Sequence, residues 1–213
     1  MGFAQTMSSE YEGRPDKKKN ATYFSNGLQS KYRDDTDGAI RNFEQALRYM
    51  PDDAASMFEL SEQYVNAGRT EEAFKMIQKA TELDPENKWY QMRLGKFYRN
   101  LEQYDKFTKL YEGLTAKYPD DLDMLSELID AYLVTEKYDK ALEYLRAAVE
   151  IESDPMVKSN LCVQIAGTEL AAGAIREAAN YAKQAIEYNP NNGSAYLCLA
   201  QSYVDGATCS DEF

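Results

Sequence analysis

The chain of 213 residues contains no histidine and only three cysteines, Cys162, Cys198 and Cys209. Without histidine it has no imidazole for general acid–base catalysis and lacks the commonest metal-binding side chain. The cysteines lie 36 and 11 residues apart, which is neither a disulfide framework nor the spacing of a zinc site. A glycine-rich phosphate-binding loop is also missing from the sequence. These absences predict a chain that is not an enzyme, with no catalytic residue, no metal and no cofactor.

Long apolar runs and a surplus of positive charge are missing as well. No apolar stretch approaches the roughly 18 residues that a membrane helix requires, so the sequence predicts no membrane span. The 24 Lys and Arg residues face 36 Asp and Glu residues, which gives a formal net charge of −12 and a pI of about 4.6. Binding to nucleic-acid phosphates needs a basic face, so this charge balance argues against nucleic acid as a partner.

The sequence does contain a fixed period. The step from Pro51 to Pro85 equals the step from Pro85 to Pro119, and Pro190 follows after two more such periods plus three residues. A period of about 34 residues is typical of stacked helical hairpins. Comparable residues hold matching places in successive periods: Leu60, Ser61, Tyr64, Ile77 and Pro85 are followed 34 residues later by Leu94, Gly95, Tyr98, Tyr111 and Pro119. The first of these periods also contains Gly68, Ala73 and Ala80, and the second contains Tyr104.

This pattern resembles the tetratricopeptide repeat (TPR), with its Leu–Gly pair, a Tyr three residues on, two small residues and a closing Pro. The resemblance covers about 20–206. It implies an all-α fold, a right-handed superhelical solenoid of about five and a half helix-turn-helix units with the first helices lining the inner surface. Four features depart from the pattern. The usual Trp position holds other residues, and Phe107 occupies the first small position of the third unit. Ser153 stands where a proline is expected, and three extra residues, 156–158, follow it.

The repeat predicts the organisation of the chain. We expect a flexible leader at 1–19, a TPR array at 20–206 and a tail at 207–213. The array divides into units 20–53, 54–87, 88–121, 122–155 and 156–192, followed by a terminal helix at 193–206. First helices are expected near 20–33, 54–67, 88–100, 121–134, 156–172 and 193–205. Second helices are expected near 36–50, 70–83, 104–117, 138–151 and 175–188.

The terminal helix has no second helix after it. It either closes the array as a lid or belongs to a fragment of a longer protein. In both cases the helix leaves apolar surface exposed, and this surface indicates that the chain could self-associate through 193–206.

In the resembled family, the inner surface binds a peptide or a helix of another protein. The inward places of the first helices predict a groove lined by Phe24, Leu28, Phe58, Glu62, Trp89, Met92, Lys96, Arg99, Asn100, Asp123 and Asp130. The aromatic and methionine side chains in this set form an apolar stripe, or else they pack on neighbouring second helices or on the leader. The charge also changes along the chain. Residues 88–117 hold seven basic and three acidic residues, a net of +4, and residues 118–154 hold three and eleven, a net of −8. The alternative is that these charges belong to ordinary solvated faces.

The resemblance implies a non-catalytic interaction scaffold with a protein or peptide partner. The alternative is a regulatory or targeting arm of a larger enzyme or of a secretion or envelope assembly. A clamp for chaperone C-termini is not expected, because Phe24 and Leu28 stand where that subgroup has Lys and Asn. The stretch Gly2–Gln5 is similar to the end of a bacterial export signal but lacks the apolar middle region. The compartment is therefore left open between cytoplasm and export to a bacterial periplasm.

Overall fold

The computed structural model describes residues 15–210, and every regular element in that range is an α-helix, which confirms the all-α class. The helices are numbered in chain order. They are α1 (Lys17–Tyr32), α2 (Thr36–Tyr49), α3 (Ala54–Asn66), α4 (Thr70–Leu83), α5 (Lys88–Asn100), α6 (Tyr104–Lys117), α7 (Leu122–Val134), α8 (Tyr138–Ile151), α9 (Pro155–Ala171), α10 (Ile175–Tyr188) and α11 (Gly193–Ser210). They group into two compact units, Met1–Leu101 and Glu102–Phe213.

The first and last helices are longer than the sequence predicts. Helix α1 begins at Lys17, inside the predicted leader, because the carboxylate of Asp16 accepts a hydrogen bond from the backbone N–H of Lys19 (3.0 Å) and caps the helix. Helix α11 extends to Ser210, beyond the predicted end at 206. The rest of the predicted leader, 1–14, and the last three residues of the predicted tail, 211–213, lie outside the described residues.

In each of the five complete hairpins, a residue with left-handed backbone follows the first of the two helices, which is α1, α3, α5, α7 or α9. These residues are Asp34, Gly68, Glu102, Glu136 and Gly173, with φ between 55° and 82°. They recur once per repeat, and only the last step is longer, by three residues. Glycine adopts this conformation without a steric penalty, whereas a residue with a Cβ is strained there. The two glycines are obvious turn signals, and the period locates the other three.

The first unit has a core of small and large side chains in alternation. On α2, Ala39, Phe43 and Ala46 are fully buried. The ring of Phe43 packs on Gly27 of α1, where an added Cβ would meet the ring carbon at 2.6 Å. Such alternation lets neighbouring helices approach closely while the large rings fill the space between them.

In the second unit, the three extra residues are accommodated by a longer helix, α9, which has 17 residues. Asn20 Nδ2 of α1 donates to the carbonyl oxygen of Ala46 at 3.2 Å, and Ser159 Oγ of α9 donates to that of Ala185 at 2.8 Å, both 26 residues later. Ser159 is therefore the equivalent of Asn20, displaced by four periods plus three residues. The insertion extends α9 at its N-terminus, where Pro155 takes the first helical position.

Candidate partner-binding surface

Charged side chains connect the three first helices of the first unit. Lys31 Nζ of α1 lies 2.7 Å from Glu59 Oε2 and 2.9 Å from Glu62 Oε2 of α3. Arg93 of α5 contacts the other carboxylate oxygen of Glu62. All four side chains are partly buried, and burial lowers the pKa of the Arg93 guanidinium, an effect that Glu59 opposes. We call these four residues the ion-pair ladder. Because its charges alternate, the two glutamates already have cationic partners within the fold.

Aromatic side chains lie beside the ladder. The rings of Phe58 and Tyr90 are 5.1 Å apart, and the Arg93 guanidinium lies 6.0 Å from the Phe58 ring. Burial, followed by the field of nearby carboxylates, raises the pKa of Tyr90. Trp89 is next in sequence, yet 61% of its surface is exposed, with Lys88 Nζ 4.9 Å from its ring. The neighbourhood thus combines a packed aromatic pair with a large, accessible indole.

The predicted groove residues of the first unit are of three kinds. Phe24 packs against Phe43 of the second helix α2, with ring centroids 5.7 Å apart, so that ring contributes to the core. Glu62 belongs to the ladder. The others are exposed (Trp89, Lys96, Asn100) or half-buried (Leu28, Phe58, Met92, Arg99). Their shared role in binding is still a prediction.

The remaining two predicted residues belong to the second unit. Asp123 and Asp130 are exposed on α7 and lie seven residues apart, which is two helical turns and places them on one face. Ser126 is exposed between them. This face of α7 is therefore polar and acidic, whereas the first-unit surface is aromatic and charge-compensated.

Four residues of the surface were not among the predicted groove residues, namely Lys31, Glu59, Tyr90 and Arg93. A signal for the ladder does exist in the sequence, because Lys31, Glu62 and Arg93 alternate in sign at intervals of 31 residues. That interval is three residues shorter than the 34-residue period. Glu62 therefore lies about one helical turn nearer the start of its helix than the equivalent of Lys31 does, and Arg93 lies likewise relative to Glu62. A search for opposite charges at this offset would have found the ladder.

Within residues 15–210, no helix is long and apolar enough to cross a membrane. The same residues contain no group of three or more acidic or cysteine side chains placed to hold a metal ion. Cys162 is fully buried in the core of the second unit, and burial raises the pKa of its thiol to about 11.

Comparison with known proteins agrees with this architecture. The family model described as "Psidin, N-terminal TPR repeats region" matches residues 37–149, just over half of the 213 residues. The chain belongs to the TPR family. Among curated relatives, tetratricopeptide repeat protein 21A of Mus musculus is 30% identical over 94 residues, 44% of this TPR chain. The chain spans only 7% of the length of that relative.

Two solved TPR structures show the same fold. The crystal structure of MamA has a TM-score of 0.68 and 21% sequence identity, and the match covers 81% of this chain and 92% of that one. The structure of YrrB, described as a TPR protein with an unusual peptide-binding site, has a TM-score of 0.68 and 18% identity, and the match covers 92% and 96%. Identities this low show the fold alone, and that fold is the predicted helical-repeat solenoid.

Proposed function

We propose that this TPR protein is a non-catalytic interaction scaffold and that the first helices of its first unit bind a peptide or helix of a partner protein. Membership of the TPR family supports the general role. The peptide-binding site named for YrrB, a protein of the same fold, supports the kind of ligand. The surface formed by α1, α3 and α5 supports the location.

Exposure of Trp89 is the observation that carries the location. An indole with 61% of its surface in contact with solvent is unusual in a folded chain, because aromatic side chains contribute most when they are buried. Exposed aromatic residues are enriched where proteins bind other proteins. Trp89 lies on α5, next to the Phe58–Tyr90 pair. A partner that covered this indole would bury a large apolar area at one place.

Charge defines the partner more closely. Helix α5 carries no acidic residue and four basic ones, namely Lys88, Lys96 and Arg99 besides Arg93, which pairs with Glu62. The nearby carboxylates of Glu59 and Glu62 are already engaged by Lys31 and Arg93. We therefore propose an acidic peptide with an apolar side chain that contacts Trp89. In the second unit, we propose Asp123 and Asp130 separately as contacts for a basic residue.

Binding of this kind is weak. Burying two or three apolar side chains contributes roughly 5–8 kcal/mol, and the loss of freedom on association opposes it by at least about 4 kcal/mol. A micromolar Kd corresponds to about −8 kcal/mol, so charged and backbone contacts must supply the rest. We expect an exchangeable complex whose affinity falls as salt screens the charges.

Trp89 provides a direct test because it is the only tryptophan in the chain. Peptides selected from a random library displayed on phage are titrated against the protein while the emission of Trp89 is followed. We expect the selected peptides to be acidic with an aromatic or aliphatic residue, and to shift the emission to shorter wavelength. Lys96→Glu should weaken the same peptides at least about tenfold, the effect of roughly 1.4 kcal/mol.

The matched control is Leu83→Ala, which removes an exposed apolar side chain from the end of the second helix α4. Its affinities should equal those of the unmodified chain. Trp89→Ala should weaken binding as Lys96→Glu does. Because this substitution removes the fluorophore, its binding is measured by calorimetry. Peptides that bind Trp89→Ala at full strength would show that the contact surface lies elsewhere.

The alternative, a regulatory or targeting arm of a larger enzyme or assembly, is supported by one comparison. The matching segment is 7% of tetratricopeptide repeat protein 21A, so a related array occurs there within a much longer chain. An antibody against residues 15–210 would report the size of the native protein. A band near 24.3 kDa would reject the version in which the arm is part of a longer chain, and a much larger band would favour that version.

A further inference from the structure

The dipeptide Asn–Gly occurs at two places in the chain, Asn26–Gly27 and Asn192–Gly193. The first pair lies in the interior of α1, and the second lies where α11 begins. In such a pair the backbone nitrogen of the glycine can reach the side-chain amide of the asparagine, because glycine has no Cβ to obstruct the approach. Since the two pairs share this sequence, a difference in their reactivity must come from the fold.

The backbone nitrogen of the glycine is engaged in one pair and available in the other. Gly27 lies inside α1, where each N–H donates to the carbonyl oxygen four residues earlier. Gly193 is the first residue of α11, and the first N–H groups of a helix have no partner within it. Among residues 15–210, no backbone carbonyl accepts a hydrogen bond from the Gly193 N–H. Asn192 stands outside the helix, so its backbone is not held at helical angles.

The side chain of Asn192 ties the start of α11 to α9. Its Nδ2 donates to Ser159 Oγ at 2.8 Å and to Asn160 Oδ1 at 3.0 Å. The Ser159 hydroxyl in turn donates to the carbonyl oxygen of Ala185 on α10. We call these four residues the Asn192 clasp. Its two hydrogen bonds restrain the amide nitrogen of Asn192, so a reaction that expels this nitrogen requires the clasp to open.

We propose that Asn192 is a site of spontaneous deamidation, whereas Asn26 is protected by its helix. This goes beyond the interaction scaffold proposed above, because it is a covalent change in the second unit. The Gly193 nitrogen attacks Cγ of Asn192, so that an N–Cγ bond forms while the Cγ–Nδ2 bond breaks. Nδ2 takes up the proton that the Gly193 nitrogen loses and leaves as ammonia. Water then opens the resulting five-membered imide at either carbonyl, which gives aspartate or isoaspartate.

The product does not close the clasp. A carboxylate at position 192 has no proton to donate, whereas Ser159 Oγ and Asn160 Oδ1 both accept from the amide of Asn192. The proton of the Ser159 hydroxyl is already donated to Ala185. Deamidation therefore removes both hydrogen bonds and sets oxygen against oxygen, which loosens the contact between α9 and the start of α11.

The first unit shows what an aspartate requires at this place. Asn20 and Asp53 are 33 residues apart, as Ser159 and Asn192 are. Asn20 Nδ2 donates to Asp53 Oδ2 at 2.9 Å, and the Ser56 hydroxyl donates to the same oxygen. The aspartate of the first unit thus has two donors, whereas one at position 192 meets acceptors.

Peptide mass spectrometry of the full chain, incubated at pH 8 in water labelled with heavy oxygen, tests the site. The label marks conversion during the incubation and excludes conversion during later digestion in ordinary water. We expect the peptide with Asn192 to convert at least about tenfold faster than the peptide with Asn26. In guanidinium chloride, which unfolds the chain, the two should convert at similar rates, each faster than Asn192 does in the folded chain.

Three variants connect this rate to the structure. Gly193→Ala should slow conversion at Asn192 at least about tenfold, because a Cβ then obstructs the attack. Ser159→Ala should speed it at least about threefold, because one of the two hydrogen bonds on Nδ2 is lost. Ser202→Ala is the matched control, since that buried hydroxyl donates within α11 to the carbonyl oxygen of Cys198, and it should leave the rate unchanged. Circular dichroism confirms that each variant is folded.

Asn192→Asp, made directly, measures the effect of conversion on the fold. Its thermal midpoint should lie about 2–4 °C below that of the unmodified chain, the shift expected for the net loss of one hydrogen bond in a chain of this length. Asn191→Asp adds the same charge on the exposed neighbouring side chain and should leave the midpoint unchanged. Equal midpoints for the two variants would reject the loosening of the clasp.

Two results would overturn the proposal as a whole. One is a folded chain in which Asn192 stays unconverted over a period in which the unfolded chain converts completely. The other is conversion of Asn26 as fast as that of Asn192, which would show that position in the helix does not control the reaction. An unchanged rate in Ser159→Ala would reject the clasp as the restraint on Asn192.

Discussion

Arg146 Nη2 of α8 lies 2.7 Å from Glu169 Oε1 of α9, and this ion pair replaces a tyrosine–glutamate hydrogen bond found at equivalent places. Tyr132 Oη donates to Glu112 Oε1 at 2.6 Å, and Tyr64 Oη donates to Glu44 Oε1 at 2.8 Å. Arg146 is one period after Glu112, and Glu169 is one period plus three residues after Tyr132. The same contact between a second helix and the following first helix is therefore made with different chemistry.

Removal of one partner from this ion pair should destabilise the chain. The Glu169 side chain is 5% exposed, so Arg146→Met leaves a buried carboxylate without its cation. We expect the free energy of unfolding, measured in urea, to fall by about 2 kcal/mol. Adding Glu169→Gln should recover most of the loss because it removes the unpaired charge. Lys140→Met, which breaks the exposed pair with Glu143, is the control and should change stability by less than about 0.5 kcal/mol. Equal losses in both single variants would contradict the assignment.

Alkaline pH should weaken the fold through its buried tyrosines. Burial and the hydrogen bond to Glu44 raise the pKa of Tyr64 from 10.0 to about 12, and burial with Glu112 raises that of Tyr132. The folded chain holds these protons more tightly than the unfolded chain does. The resulting stability is complete below pH 10 and is lost as pH rises toward 12.

The double variant Tyr64→Phe/Tyr132→Phe isolates this effect. It should be less stable than the unmodified chain at pH 8, by about 1 kcal/mol for each lost hydrogen bond. Its free energy of unfolding should then fall less steeply between pH 10 and pH 11.5. Parallel slopes for the two proteins would show that other groups, such as lysines, cause the alkaline loss.

Gly27 should tolerate no larger residue. A Cβ at this position would lie 2.6 Å from Cε1 of the Phe43 ring, and that ring is fully buried. Gly27→Ala should therefore lower the free energy of unfolding by about 1–3 kcal/mol through overpacking. Gly113→Ala is the matched control on α6, where no atom lies within 4 Å of the added methyl group apart from the adjoining residues and the backbone of the helix itself. It should raise stability by about 0.5–1 kcal/mol, because alanine favours the helix over glycine. If both substitutions changed the free energy of unfolding in the same direction, the result would contradict this packing.

The turn residue Glu136 should be improved by glycine. Its φ of 55° lies in the left-handed region, where a Cβ costs about 1–2 kcal/mol. Glu136→Gly relieves that strain but also increases the freedom of the unfolded chain, so we expect a net gain of about 0.5 kcal/mol. Glu136→Ala keeps a Cβ and serves as the control, with no gain expected. At the equivalent Gly68, with φ of 74°, Gly68→Ala should cost about 1 kcal/mol. The thermal midpoint of each variant reports the change.

The helices could be predicted from the sequence because their limits depend on local signals. Prolines after second helices, together with the repeat period, locate ten of the eleven helices to within a few residues, and the predicted second helix at 36–50 is observed as Thr36–Tyr49. The end of α11 lies beyond its predicted limit, and the predicted start of α1 was wrong by three residues. There the deciding signal is a single cap, Asp16, which lies beside a stretch of lysines that otherwise resembles a polar leader.

The candidate surface was harder to predict because exposure depends on neighbours. Phe24 and Trp89 were both predicted for the groove on the basis of their places in the repeat. Phe24 packs on Phe43, while Trp89 stays largely exposed. No local pattern separates the two residues. The difference depends on which large side chain the adjoining helix brings to that point.

The sequence by itself determined the repeat, the helical class and the charge of this protein, since periodicity and composition act through neighbours in the chain. Only the tertiary structure decided which charges meet and which faces stay open. Glu62 is neutralised by Lys31 and Arg93, one repeat away on either side, and the tyrosines of α11 are exposed where their equivalents are buried. The physical reason is that burial and ion pairing are properties of what packs against a residue, and stacking brings those partners from distant parts of the chain.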